Sequence, residues 1–359
     1  MGAKLKLVAP TAALTGDAET ARYEIARIRS LARVWINATP EAQRRDVSAL
    51  FVRRAFDRLG DLIEPDAKLN ASLATPYGKL DSTARAMADS LGEAAAALPL
   101  SEAAFSLSSL YTVLLSAHDR GVLGAFYTPP ALVGRLVALA EEAGVDWAKV
   151  RVLDSAAGGG AFLMPVAEKM LAALKTSEPR AVLGQIERRL KGLELDPHAA
   201  GFAQTALDLL LSPLSRAAGR PAPRVVEVAD TLERAPQAEY DLVIGNPPYG
   251  RIRLTPEQRQ RYARSLYGHA NLYGVFTDIA LRWTKPKGVV AYLTPTSVLG
   301  GQYFAANVPP NVNSAPRYAP TIRTQTCLET LGRQSLPSNV DAIEKVLGHI
   351  GLCAHFGLS

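Results

Sequence analysis

The residues best suited to chemistry stand together at Asn246-Pro247-Pro248-Tyr249. The Asn246 side-chain oxygen and the Pro247 carbonyl are two acceptors at adjacent positions. They can take both hydrogens of an exocyclic amino group while the Tyr249 ring stacks on the plane that carries it. As such an amine attacks a methyl donor its nitrogen gains positive charge, and both acceptors strengthen their hold before any general base is needed. Pro247 and Pro248 stiffen the backbone that presents these groups. An ordinary turn after a strand would use the same dipeptides, Asn-Pro and Pro-Pro.

A strand must deliver this loop. Leu242 to Ile244 has the length and branching of a central parallel strand, and the prolines, which lack ladder donors, end it at Gly245. The carboxyl ends of strands in open α/β sheets face the ligand crevice, so Asn246 and Tyr249 are expected to project into a pocket. Upstream, Val150 to Asp154 reads as a strand, Ser155 to Phe162 as a glycine loop, and the following residues as an amphipathic helix to about Leu174. Gly158, Gly159 and Gly160 let backbone approach a ligand, and Asp154 offers acceptors to a cationic amine. The stretch matches neither G-x-G-x-x-G nor a phosphate-binding loop, so a nucleoside without phosphates fits better. Glu194, near the end of the strand Gly192 to Leu195, suits ribose hydroxyls, whereas Asp196 before Pro197 reads as a helix N-cap. Asp230 ends a third strand, Arg224 to Val228, and can accept from an adenine amino group. Gly288 to Leu293 is a fifth strand.

Thr128 is placed to cap a helix whose first turn is Pro129-Pro130 and which runs to about Gly144. Its free donors could hold a carboxylate, although a simple helix start explains the same residues. Beyond Tyr249, Arg251 and Arg253 precede a helix from Thr255 to Leu266 that carries Arg259, Arg261 and Arg264. These five arginines could contact phosphates, and a solvated helix face accounts for them equally well. A further amphipathic helix spans Asn271 to Trp283.

The 359 residues, 48% apolar and 21% charged, suit about two globular domains and exclude disorder throughout. A net charge of +6 leans weakly towards a polyanionic partner. Cys327 and Cys353 are too few for a disulfide framework or a cysteine zinc site; no metal is expected, and a reducing cytoplasm fits. Pro10, Gly16 and Asp17 interrupt any signal-peptide core, and no run reaches the length of a membrane span. Residues 1–120 read as a helical module without assigned chemistry, with Thr39 capping a helix that starts at Pro40 and closes at Gly60. Residues 121–304 carry the sheet. Residues 305–359, rich in Asn, Pro and Ser, read as an irregular tail with one helical pattern from Val340 to Ile350.

Taken in order, these segments resemble the S-adenosylmethionine-dependent adenine-N6 DNA methyltransferases of restriction-modification systems. The family has a target-recognition domain after the catalytic one. The resemblance implies an α/β fold: a doubly wound, Rossmann-like methyltransferase sheet, here preceded by an all-α module. It implies that Tyr127 and Thr128 hold the methionine carboxylate, Asp154, Ala156 and Gly158 the methionine end, Glu194 the ribose and Asp230 the cofactor adenine. Asn246, Pro247, Pro248 and Tyr249 then bind a flipped target adenine. DNA is the implied partner, with a restriction or specificity subunit as a second. The family loop D-P-A-C-G-S-G is altered here, since Ser155, Ala157 and Gly159 replace its Pro, Cys and Ser. After Phe304 the rest of the family's pattern is not found, as a truncated or frame-shifted reading frame would give. The expectation is therefore cofactor binding, poor methylation of duplex DNA without a partner, and an exposed sheet edge beyond the fifth strand. Alternatives are a cofactor-binding remnant without turnover, and a methyltransferase of protein glutamine or RNA.

Overall fold

The computed structural model describes residues 17–65, 78–123, 128–174, 178–235, 237–263, 266, 271–295, 318–326 and 349–358. Tyr127 and Arg264 lie outside the described residues. In chain order the elements begin with α1 (Ala18–Asn37), α2 (Glu41–Ile63), α3 (Ser82–Ala95), α4 (Leu100–Leu114), α5 (Ala117–Leu123) and α6 (Pro130–Glu142). There follow β1 (Val152–Asp154), α7 (Leu163–Ala173), α8 (Pro179–Arg189), β2 (Leu190–Glu194), α9 (Pro197–Ala218) and β3 (Val226–Val228). The last are β4 (Tyr240–Gly245), α10 (Pro256–Arg261), α11 (Leu272–Trp283), β5 (Thr284–Pro295), β6 (Tyr318–Thr326) and β7 (His349–Leu358).

The chain divides into two compact units. One gathers Met1–Tyr127, Ala157–Leu190 and Glu194–Ala229; the other gathers Thr128–Ala156, Lys191–Leu193 and Asp230–Ser359. In the first, α1 buries Ala21, Ile25, Ile28, Ala32 and Ile36, a spacing of three to four that puts them on one stripe. Small residues bring α2 and α3 close, for a β-carbon on Gly92 would lie 2.5 Å from the Ala55 carbonyl oxygen. Helix α9 is the spine of this unit. Its Phe202 stacks on Phe56 of α2, with centroids 5.8 Å apart, and takes the edge of Tyr111 of α4 at 5.3 Å.

The sheet runs β3-β2-β1-β4-β5-β7-β6. Strands β1 and β4 pair in parallel, as do β4 and β5. All of β1, and β4 from Leu242 to Gly245, are buried, which is why they read as unbroken apolar runs without alternation. Among the described residues no single helix is long and apolar enough to cross a membrane.

Several sequence expectations need correction. Helix α2 starts at Glu41 because Pro40, at ψ 136°, holds the extended cap position, and no side chain caps it. It also runs through Gly60 to Ile63, since packing outweighs the modest propensity cost of an interior glycine. Likewise Pro129, not Thr128, is the N-cap of α6. Helix α10 ends at Arg261 with Tyr262 as its C-cap, short of the expected Leu266. Residues 305–359 are not irregular throughout. Strand β7 lies antiparallel beside β5, from Val289 opposite His355 to Pro295 opposite His349, and β6 pairs antiparallel with β7. The edge beyond the fifth strand is thus paired, because an extended backbone can satisfy it whatever its side-chain pattern. Most of the Val340–Ile350 pattern lies outside the described residues, and Ile350 is in a strand.

Candidate functional site

Strand β4 ends as its composition dictates, and Asn246 leaves the ladder immediately after Gly245. A β-carbon on Gly245 would lie 2.7 Å from Asp154 Oδ1, so glycine is what lets the end of β4 pass the end of β1 at this distance. The Asn246 amide is held at both ends: Nδ2 donates to Thr128 Oγ1 (3.1 Å), and Oδ1 accepts a short hydrogen bond from the Tyr249 hydroxyl. That hydroxyl also lies 3.0 Å from the Leu293 carbonyl oxygen of β5, so its one proton is shared between two acceptors. Asn246, Pro248 and Tyr249 keep partial exposure, while Pro247 is buried.

Thr128 therefore acts through its side chain on Asn246 rather than as a helix cap. Pro129 and Pro130 have no N–H, and the Leu132 N–H donates to the Pro129 carbonyl, so the start of α6 offers few donors to an anion.

The residue after β1 is tied to the same strand that anchors Tyr249. Ser155 Oγ and the Tyr292 hydroxyl lie 2.6 Å apart, and the Thr231 hydroxyl donates to the Ser155 carbonyl at 2.6 Å. Adjacent residues of β5, Tyr292 and Leu293, thus hold the loop after β1 and the loop after β4. Sequence reading missed both ties. The partners are 137 and 44 residues apart, and a tyrosine within an apolar strand signals only burial. That burial keeps the Tyr292 hydroxyl protonated by pushing its pKa up.

Asp154 is buried, with Oδ1 accepting the Ala156 N–H at 3.2 Å. Asp230 is exposed and accepts the Leu232 N–H at 2.8 Å on one oxygen, which leaves acceptor capacity on the carboxylate.

In the first unit the glycines divide their work. Gly158 has φ +52° with open space around the position of a β-carbon. Gly159 is a packing residue, because a β-carbon there would meet Ser108 at 2.4 Å, and Gly160 combines a left-handed φ of +87° with a β-carbon position 3.0 Å from Ala203. The Glu194 carboxylate accepts the Gly158 N–H on Oε2 (2.7 Å) and the Asp196 N–H on Oε1 (2.8 Å). Glu194 keeps some exposed surface, yet burial of its carboxyl outweighs its backbone N–H donors and pushes its pKa up to about 7. Asp196 is the N-cap of α9, as expected, accepting from the His198 N–H at 3.0 Å.

Arg251, Arg253, Arg259 and Arg261 are all exposed. Arg261 has a further task, since its Nη1 donates to the Leu232 carbonyl at 2.9 Å. Thr255 and Gln258 form a reciprocal capping box at the start of α10, where the sequence suggested only a helix start.

Residues 221–307, which contain β4, its loop and β5, match the Eco57I restriction-modification methylase family. The chain is related to restriction-modification methyltransferases. It is 30% identical over 188 residues to the type II methyltransferase M.TthHB8I of Thermus thermophilus, covering 49% of this chain and 36% of that protein. With the type II methyltransferase M.PaeR7I of Pseudomonas aeruginosa it shares 28% identity over 162 residues, 43% of this chain and 28% of the relative. The chain thus spans about a third of the length of these methyltransferases. The methyltransferase fold is shared more widely. A Listeria monocytogenes protein assigned to the class I S-adenosylmethionine-dependent methyltransferases superposes with a TM-score of 0.55 at 15% identity, over 94% of this chain and 88% of that one. The protein of the DrdV–DNA complex gives 0.62 at 14% identity, over 95% and 42%.

Proposed function

We propose that the chain transfers a methyl group from S-adenosylmethionine to the exocyclic amino group of adenine in DNA, with the base turned out of the duplex onto the loop of Asn246, Pro247, Pro248 and Tyr249. The observation that carries this reading is the Asn246 amide, fixed at the carboxyl end of β4 by Thr128 and by a tyrosine anchored to β5.

Pinning the amide at both ends removes reorganisation that would otherwise oppose charge development on the amine. Asn246 Oδ1 uses one lone pair on Tyr249, and the second remains for an amine hydrogen. The Pro247 carbonyl takes the other hydrogen, and the Tyr249 ring supplies the stacking face. These acceptors favour the cationic nitrogen over the neutral one, so they contribute most in the transition state.

The electrophilic methyl group is supplied by S-adenosylmethionine when bound. The residues present suit such a group. Gly158 leaves open space beside a left-handed backbone, and Glu194 and Asp230 retain acceptor capacity for hydroxyl and amino groups. Asp154 and Ala156 are proposed for the methionine end, with Tyr127 and the Thr128 hydroxyl, which accepts from Asn246 and keeps its own proton to donate, for its carboxylate. Exposed Arg251, Arg253 and Arg259 are proposed for DNA phosphates. A restriction or specificity subunit is proposed as partner, and the cytoplasm as compartment.

The test combines calorimetry of S-adenosylmethionine binding with transfer of labelled methyl to an adenine-containing DNA strand, followed by nucleoside analysis. Label on adenine N6, lost in Asn246→Ala, is expected. Binding without any transfer would leave a cofactor-binding remnant. Label on RNA or protein glutamine, with none on DNA, would reassign the substrate.

A further inference from the structure

The first unit contains a polar network that the proposed chemistry does not use. Asp196, only 2% exposed, accepts from three donors: the His198 N–H at 3.0 Å, Arg45 Nη2 at 3.1 Å and the Tyr111 hydroxyl at 2.7 Å. Its own backbone N–H donates onward to Glu194 Oε1 at 2.8 Å. Arg45 lies on α2 and Tyr111 on α4, 151 and 85 residues from Asp196. Capping α9 requires one acceptor and one local donor, so the two distant donors are surplus to that task. Both are built into the unit. Tyr111 is 2% exposed, its ring meeting Phe202 and His198 edge-on, and His198 Nε2 faces Asp46 Oδ1 of α2 at 3.3 Å.

We infer that Tyr111 and Arg45 are positioning residues for Glu194, which they orient through Asp196. The inference rests on the assignment of Glu194 to the ribose hydroxyls of the cofactor. The Gly158 N–H reaches one Glu194 oxygen and the Asp196 N–H the other, and a carboxylate held at both oxygens has a defined plane. The Asp196 peptide can hold its side only where its own side chain is clamped, and α2 and α4 supply the clamp. The N-terminal helices thus have a task beyond bulk packing. They fix the direction from which a carboxylate meets two adjacent hydroxyls, a geometry in which small misplacements are costly.

Adenosine and 2′,3′-dideoxyadenosine are the probes, displacing labelled S-adenosylhomocysteine from the intact chain. The parent is expected to prefer adenosine. In Tyr111→Phe, adenosine should bind about fivefold more weakly while the dideoxy compound changes less than about twofold. Arg45→Gln, on a partly exposed side chain, provides a second variant, and melting curves show whether each remains folded. Equal weakening for both nucleosides, or undisturbed discrimination in both variants, would overturn the proposal. If the parent itself does not discriminate, or Glu194→Gln leaves the preference intact, the assignment of Glu194 fails and this inference fails with it.

Discussion

Replacing Asn246 by alanine is expected to lower transfer about 10²- to 10³-fold, because the missing acceptor matters most as the amine becomes cationic. Calorimetry should show cofactor affinity near that of the parent, and a rate near the parent's would remove Asn246 from the chemistry. For Tyr249 the sequence offered a stacking ring and hence a mild Tyr249→Phe. The structure adds a hydroxyl that fastens Asn246 to β5, so Tyr249→Phe is expected to lower kcat about tenfold, with Tyr249→Ala lower still. Equal rates for the parent and the Phe variant would show that the hydroxyl does not position the amide. Glu194 makes a prediction in pH. Its carboxyl is raised from 4.5 to about 7 by burial, so folding favours its protonated form. Stability from this group is fully present below its ordinary value and is lost as pH rises through about 7. Hydroxyls are better held by the ionised form, so cofactor affinity should rise over the same interval. Glu194→Gln should flatten both profiles, as denaturant melts and calorimetry across that range would reveal.

Among the elements, the loop between β1 and α7 carries glycines of two kinds. Gly159→Ala drives a β-carbon to 2.4 Å from Ser108 and is expected to destabilise the fold by about 1 to 3 kcal/mol through overpacking. Gly158→Ala meets no atom but must hold a left-handed backbone, at a cost of about 1 to 2 kcal/mol. The pair separates by ligand: Gly158→Ala should also weaken cofactor binding, while folded Gly159→Ala should retain it. Thermal melts beside binding isotherms test this, and unchanged affinity in Gly158→Ala would deny the open space a role. Strand β5 is the other decisive element, since Tyr292 and Leu293 hold the loops that follow β1 and β4.

For the chain taken whole the question is how a weakly basic protein meets a polyanion. Removing Arg251, Arg253 and Arg259 together is expected to flatten the dependence of DNA affinity on salt by about 0.9 for each phosphate these arginines neutralise. Arg261 belongs to a separate experiment. Its guanidinium holds the Leu232 carbonyl, so Arg261→Ala should lower the melting temperature as well. A salt slope unchanged in the triple variant would leave these arginines as a solvated face.

The strand that ends just before Asn246, the strand–glycine–helix order around Asp154, the N-cap role of Asp196 and the helical character of the N-terminal residues were all legible in the order of residues alone. Each rests on local physics: a proline without an N–H, a left-handed glycine, a carboxylate one residue before a helix. What those residues touch emerged with the folded chain. Thr128 left its expected cap for the Asn246 amide, Gly159 and Gly160 turned out to serve packing, and β7 closed an edge that read as open. The tie from α2 and α4 through Asp196 to Glu194 was equally hidden. Hydrogen bonds made across 85 to 151 residues leave no spacing signal in one sequence, because their partners are chosen by which surfaces packing brings together.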